Sequence, residues 1–159
     1  MKYINTLFNL VTVILFVGMG VTVLLQIFFR FVMKMSVPWT EELSRLLFIY
    51  VGFFGTALAA RDKQFIIIDV LFKRLPKPVQ GVLTVITRVI TVAFFGIMFA
   101  GAVQMYGKVK GTYFQSLKGV SNGMTYVALI IGAGMTILYT LLQSIDDLRK
   151  KNKEEGADA

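Results

Sequence analysis

Two stretches of 27 consecutive uncharged residues, Tyr3 to Phe29 and Gly119 to Ile145, constrain this chain more than any other feature. A helix that long reaches roughly 40 Å at about 1.5 Å per residue, against ~30 Å of bilayer hydrocarbon. Soluble domains average about a quarter charged residues. This chain has 16%, and of its 26 charged residues nine lie in the last fourteen positions, Asp146 to Ala159. With 56% hydrophobic residues and a mean hydropathy of +0.70, the first 145 residues have the composition of a membrane protein. The chain has no Cys, which removes disulfides, a thiolate nucleophile and a Cys-based zinc site, and no His, the commonest general base and metal ligand. The net charge of +8 does not indicate nucleic acid, because the basic residues sit singly between apolar blocks rather than along one stripe.

Four spans follow, at about 4–31, 37–60, 79–107 and 120–145, forming a membrane domain over 1–145 with a polar cytoplasmic tail at 146–159. The expected fold is therefore an all-α integral membrane protein. The first apolar block is too long for a signal-peptide core of ~7–15 residues and runs directly into QIFFRFV, so it reads as a retained span. The second is the shortest. Its apolar part is Leu46 to Ala60, and it reaches a spanning length only if the helix starts near Ser36 to Pro38, where proline suits a first turn. Glu41 and Glu42 then lie toward the positive end of the helix dipole and Arg61 toward the negative end. Gly55 and Ala59 inside this span form a candidate close-packing pair, whereas Gly107/Gly111 and Gly119/Gly123 lie at span ends and shape a loop.

One apolar segment is too short and too charged to span. In about 64–75, QFIIIDVLFKRL, Asp69, Lys73 and Arg74 interrupt the apolar residues, and Pro76 and Pro78 follow. An amphipathic arm helix lying in the membrane interface accommodates this pattern, with Phe65, Ile68 and Phe72 toward lipid or a partner and Lys73 and Arg74 at the headgroups. A re-entrant piece packed on a partner is the rival.

With four spans, the amino terminus, the second connection and the tail share one side and carry ten Lys and Arg; the other side carries six. The positive-inside rule then places both termini in the cytoplasm of a multi-pass protein. The basic residues beside the arm favour contact with anionic membrane lipids.

The densest polar stretch of the body is Arg30 to Arg45, RFVMKMSVPWTEELSR. Glu41 and Arg45 stand four apart on one helix face, carboxylate first. Glu42 projects about 100° away, with Arg30 its nearest candidate partner in sequence. Two readings stand. One is a solvated helix start with a surface ion pair worth under ~1 kcal/mol. The other is a docking or subunit surface of Arg30, Trp39, Glu41, Glu42 and Arg45, since Trp and Arg are favoured interface residues. A catalytic carboxylate pair is disfavoured, because adjacent helical residues face different ways and no nucleophile or ligand set accompanies them. Arg88, about two turns into the third helix, either snorkels to headgroups or pairs with Asp69. No span carries the acidic or His relay of a self-sufficient pump. Neither a cofactor, a catalytic site nor a metal site is expected.

The run Gln26-Ile-Phe-Phe-Arg30-Phe-Val, followed by Ser36-Val-Pro38-Trp39-Thr40-Glu41-Glu42-Leu-Ser-Arg45, resembles the signature of the DctQ/SiaQ-like small membrane subunit of tripartite ATP-independent periplasmic (TRAP) transporters. Ala59-Ala-Arg61 through Ile68-Asp69 and the Leu75-Pro76 stop are similar as well. Where the family often has a His in the arm, this chain has Phe65, which leaves an apolar anchor there. The resemblance implies the stand-alone scaffold subunit of a sodium-coupled secondary transporter of the inner membrane. It further implies a heterodimer with a large elevator-type membrane subunit, and a periplasmic substrate-binding protein that delivers an organic anion. Sialic acids and dicarboxylates are both substrates in the family. Two other classes remain open: a self-sufficient small homo-oligomeric channel or exporter, and a membrane-bound assembly factor without a transport role.

Overall fold

A computed structural model describes residues 2–62 and 77–155. The arm residues Phe65, Ile68, Asp69, Phe72, Lys73 and Arg74 lie outside the described residues. Four helices account for most of the rest: α1 (Lys2–Phe31), α2 (Pro38–Arg61), α3 (Lys77–Val109) and α4 (Gly123–Glu155). All four contain a segment long and apolar enough to cross a membrane.

The helices pack as a row rather than a bundle. α1 lies on α2, α2 on α4, and α4 on α3, so α2 and α4 are inner and α1 and α3 form the two edges. The inner seam is made of small residues. Ala57, Ala128 and Ala133 are fully enclosed, Ala60 is 2% exposed, and Thr136 is fully buried with its hydroxyl bonded to the Gly132 carbonyl. Small side chains let two backbones approach, which is how helices gain dispersion contact where lipid removes the hydrophobic drive. The closest approach is at Gly132, where an added Cβ would stand 2.5 Å from Phe53 Cβ and 2.9 Å from the Phe53 carbonyl oxygen. The pair expected to provide this contact does not: a Cβ on Gly55 would meet nothing within 4 Å. Spacing of small residues shows where a helix could be approached, but not which helix does so. At the α1–α2 contact, Phe8 stacks on Phe54 at 4.8 Å between centroids, and Tyr50 meets Phe54 edge-on at 5.7 Å.

Two helix limits differ in an informative way from the uncharged runs. α4 starts at Gly123 because residues before it belong to a loop hairpin. It then continues ten residues past Ile145 through DDLRKKNKEE, to Glu155. That stretch contains no Gly, Pro or β-branched residue, so helix propensity carries it on where hydropathy stops. Hydropathy marks the part of a helix that can enter lipid, not the end of the helix.

Candidate interaction surfaces at the two ends of the helix row

At one end lie the turn between α1 and α2 and the connection between α3 and α4. The α1–α2 turn is tight. Met35 N–H reaches back to the Phe29 carbonyl at 3.1 Å, and Lys34 adopts a left-handed conformation with φ 51°. This is the helix-ending geometry usually given to glycine, and a side chain there costs about 1 kcal/mol. Pro38 opens α2, and Thr40, 1% exposed, donates its hydroxyl to the Val37 carbonyl at 2.7 Å, which fixes the entry of the chain into the helix. Ser44 reaches across to Gln26 on α1 at 3.4 Å.

The connection from Lys110 to Asn122 is a small hairpin. Phe114 N–H bonds the Val120 carbonyl at 3.1 Å and Asn122 N–H the Thr112 carbonyl at 2.9 Å. Ser121 donates its hydroxyl to the Lys110 and Thr112 carbonyls at 2.8 and 3.2 Å. Gly119 has φ 94°, a backbone conformation that L side chains rarely adopt, so its place in the turn requires glycine. Gly123 closes the base: a Cβ there would lie 3.2 Å from Lys110 Cα.

The sequence-derived site residues divide at this end. Glu42 does not turn to Arg30. One of its carboxylate oxygens accepts the backbone N–H groups of Ser116 and Leu117 at 2.9 and 3.1 Å. Glu41 and Arg45 do not form their expected ion pair; both are exposed. An exposed pair gains little from closing and loses the rotamer freedom of two long side chains. Glu41 instead lines a cavity of about 380 Å³ with Gln26, Arg30, Lys34 and Ser36. Trp39 is 39% exposed.

The other end gathers polar groups from all four helices. Arg61, in the last turn of α2, donates Nη1–H to Asn9 of α1 at 2.7 Å and Nε–H to Asp62 at 2.8 Å. Hydrogen bonding from Arg61, aided by the guanidinium charge, holds the Asp62 carboxyl below its ordinary value. Gln143 of α4 donates to the Ala60 and Arg61 carbonyls at 2.6 and 3.0 Å, so α4 caps the C-terminus of α2, where backbone acceptors would otherwise lack donors. Tyr139 donates to Asn5 at 2.9 Å. Arg88 pairs with Asp147 of α4, tying the edge helix α3 to the inner pair; Asp69, the partner expected for it, lies outside the described residues. The antiparallel run of α3 and α4 brings these two residues to one level, which separation in sequence does not reveal.

Sequence reading missed Asn9, Tyr139 and Gln143, and it missed the hairpin as an ordered unit. The available signals were weak ones: a lone Gln in a long apolar run, and the Gly-rich, hydroxyl-rich stretch from Gly111 to Gly123.

Along the spans the threonines turn inward on their own helices. Thr12, Thr84, Thr91, Thr136 and Thr140 each donate to the carbonyl four residues earlier. Polar groups satisfied this way hold the helix in lipid without lining a path.

A row of four apolar helices, each long enough to cross a bilayer and tied to its neighbours by polar contacts at both ends, has the architecture of a multi-pass membrane protein. The family model for the DctQ component of tripartite ATP-independent periplasmic transporters matches residues 19–150, and the chain belongs to that family of inner-membrane transporter components. The chain is 27% identical over 140 residues, 88% of its length and 86% of the other's, to a Haemophilus influenzae protein described as a TRAP transporter small permease. It is 25% identical over 153 residues, 94% of this chain and 85% of the other, to the sialic acid TRAP transporter small permease protein SiaQ of Vibrio cholerae. A shorter match, 36% identical over 80 residues, covers 50% of this chain and 13% of the sialic acid TRAP transporter permease protein SiaT of Haemophilus influenzae.

Proposed function

We propose that this chain is the fixed scaffold subunit of a sodium-coupled TRAP transporter that imports an organic anion of the sialic acid or dicarboxylate class. In this reading it supports a large elevator-type membrane subunit in a heterodimer and helps a periplasmic substrate-binding protein to dock. Both termini are cytoplasmic, the hairpin end is periplasmic, and the arm braces the scaffold along the cytoplasmic face. The observation that carries the reading is the division of the row. Span threonines bond their own helix and the other polar groups bond a neighbouring helix near its ends, while the edge helices present broad apolar faces, so the chain is suited to support a solute-carrying partner. The sialic acid transporters among its relatives favour the anion class.

Reconstitution tests this directly. Liposomes holding this chain alone, under a sodium gradient with sialic acid or a dicarboxylate outside, take up nothing above empty vesicles. Liposomes that also hold the large subunit, supplied with the binding protein, do. Uptake by the chain alone would mean a self-sufficient transporter and end the scaffold reading. For orientation, an impermeant thiol reagent on intact cells should label Gln115→Cys and spare Asn152→Cys; the absence of native Cys makes the result unambiguous. For the arm, the Ile68→Lys, Phe72→Asp double variant lowers transport at matched expression, because moving charge into hydrocarbon costs ~2.5–3.5 kcal/mol. Full activity in that variant would remove the brace.

A further inference from the structure

At the N-terminal end of α2 two features meet on a single helical turn. Glu41 and Glu42 are sequence neighbours, so their side chains leave the helix about 100° apart. Glu41 lines the cavity that also holds Arg30 and Lys34. Glu42 accepts the Ser116 and Leu117 N–H groups of the hairpin. Cavity and hairpin are thus held to one another through two adjacent residues. The hairpin is braced by its own backbone and Ser121 bonds, and it stands beyond the ends of α3 and α4. It carries Tyr113, 62% exposed, with Lys110 and Lys118 also exposed. This end of the molecule has six Lys and Arg residues against two carboxylates, and Glu42 is already committed to the hairpin.

A surface of this kind suits one occupant better than another. Anionic headgroups need positive charge but no fixed shape, since lipids conform to whatever they meet. A preorganised loop with an exposed tyrosine on its arm, beside a cationic cavity, lowers the ordering cost of meeting a shaped surface. We propose that the Lys110–Asn122 hairpin and the Arg30/Lys34 cavity form one contact surface for an acidic face of the soluble binding protein. A carboxylate of that protein seats between Arg30 and Lys34, while Tyr113 and the hairpin lysines meet its rim. Glu42 is a positioning residue: it touches no partner and sets where the hairpin stands. The inference rests on the docking role proposed above.

The test uses the complex of this chain with the large subunit in nanodiscs of zwitterionic or anionic lipid, titrated with the transporter's own periplasmic binding protein. The unaltered complex binds, and binding weakens as salt rises. Lys110→Glu with Lys118→Glu lowers affinity at least about tenfold, and Arg30→Glu does likewise. Glu42→Ala weakens binding several-fold, whereas Glu42→Gln, which keeps an acceptor oxygen, loses less, with membrane assembly unchanged in both. If the unaltered complex binds but the charge reversals leave affinity as it was, this contact surface is wrong while docking itself stands. If the reversals instead reduce only the anionic lipid retained in native mass spectra, the cations serve the membrane and the inference is overturned. No binding by the unaltered complex would overturn the docking role and this surface together.

Discussion

The inner helices and the edge helices of this row solve the same problem with different materials. A third of the α4 span is buried, against 6% of the α3 span, although both helices are 33 residues long and both are rich in Gly and Ala. On α4, Gly132 lies against the Phe53 backbone and Thr136 is enclosed; on α3, Gly96 and Gly101 face open space. Small residues therefore do not make an interface by themselves. They make one where an opposing helix is held in place, here by Gln143 capping α2 at one end and by Tyr50 donating to the Met124 carbonyl at 3.0 Å at the other. The edge helices keep Leu, Ile, Val and Phe outward, as a surface meant for lipid or for another subunit would.

The sharpest way to break this contrast is to place the same side chain on both kinds of helix. Gly132→Leu would drive a side chain into a site where even a Cβ lies within 3 Å of Phe53, and a loss of about 3 kcal/mol or more is expected. Gly101→Leu on α3 should change stability by less than about 0.5 kcal/mol. Thermal melting followed by detergent size-exclusion chromatography reads both. Equal melting of the two variants would mean that the inner seam is not specially packed.

A smaller effect tests how an edge helix is tied to the inner pair. The Arg88 side chain is 15% exposed and that of Asp147 38%. Asp147→Asn leaves a mostly enclosed guanidinium without its carboxylate and should cost about 1–2 kcal/mol, less than for a fully buried pair because water reaches the carboxylate. The melting shift should shrink against an Arg88→Met background, since the double variant no longer strands the guanidinium.

Within the inner pair, Gln143→Leu removes two hydrogen bonds to the α2 C-terminus and should cost about 1 kcal/mol. Faster hydrogen exchange at the end of α2, with the Gly132 region still protected, is the expected pattern. Exchange rising equally along both helices would mean the cap holds the whole seam. The smallest effect concerns the edge turn. Lys34→Gly relieves the left-handed conformation and should raise stability by a few tenths to about 1 kcal/mol, with part of the gain lost to the freer unfolded chain. A lower melting temperature would mean that the lysine side chain contributes more than its backbone costs.

Much of the architecture is legible in the sequence. Two uncharged runs of 27 residues can hardly be other than membrane helices, because a backbone in hydrocarbon must satisfy its own hydrogen bonds. Pro38 marked the start of α2 for an equally local reason. The PWTEE stretch, through its resemblance, led to the family that the match over residues 19–150 establishes. The candidate site was only half legible. That Glu41 and Glu42 face different ways follows from helix geometry alone. That Glu42 meets the Ser116 and Leu117 N–H groups, 74 and 75 residues away, does not.

Sequence by itself thus determined the number of spans, the start of α2 at Pro38 and the positions where charge cannot enter lipid, because each depends on neighbours within a few residues. Tertiary structure decided the partners. It put α4 rather than α3 against α2, which made Gly132 and not Gly55 the point of contact. It gave Arg88 to Asp147 and the Gln143 amide to the end of α2. Those choices depend on which helix faces meet across the row. Helices of nearly equal apolar character carry little local record of that, since any of them could bury against any other until the connections and the end contacts fix the order.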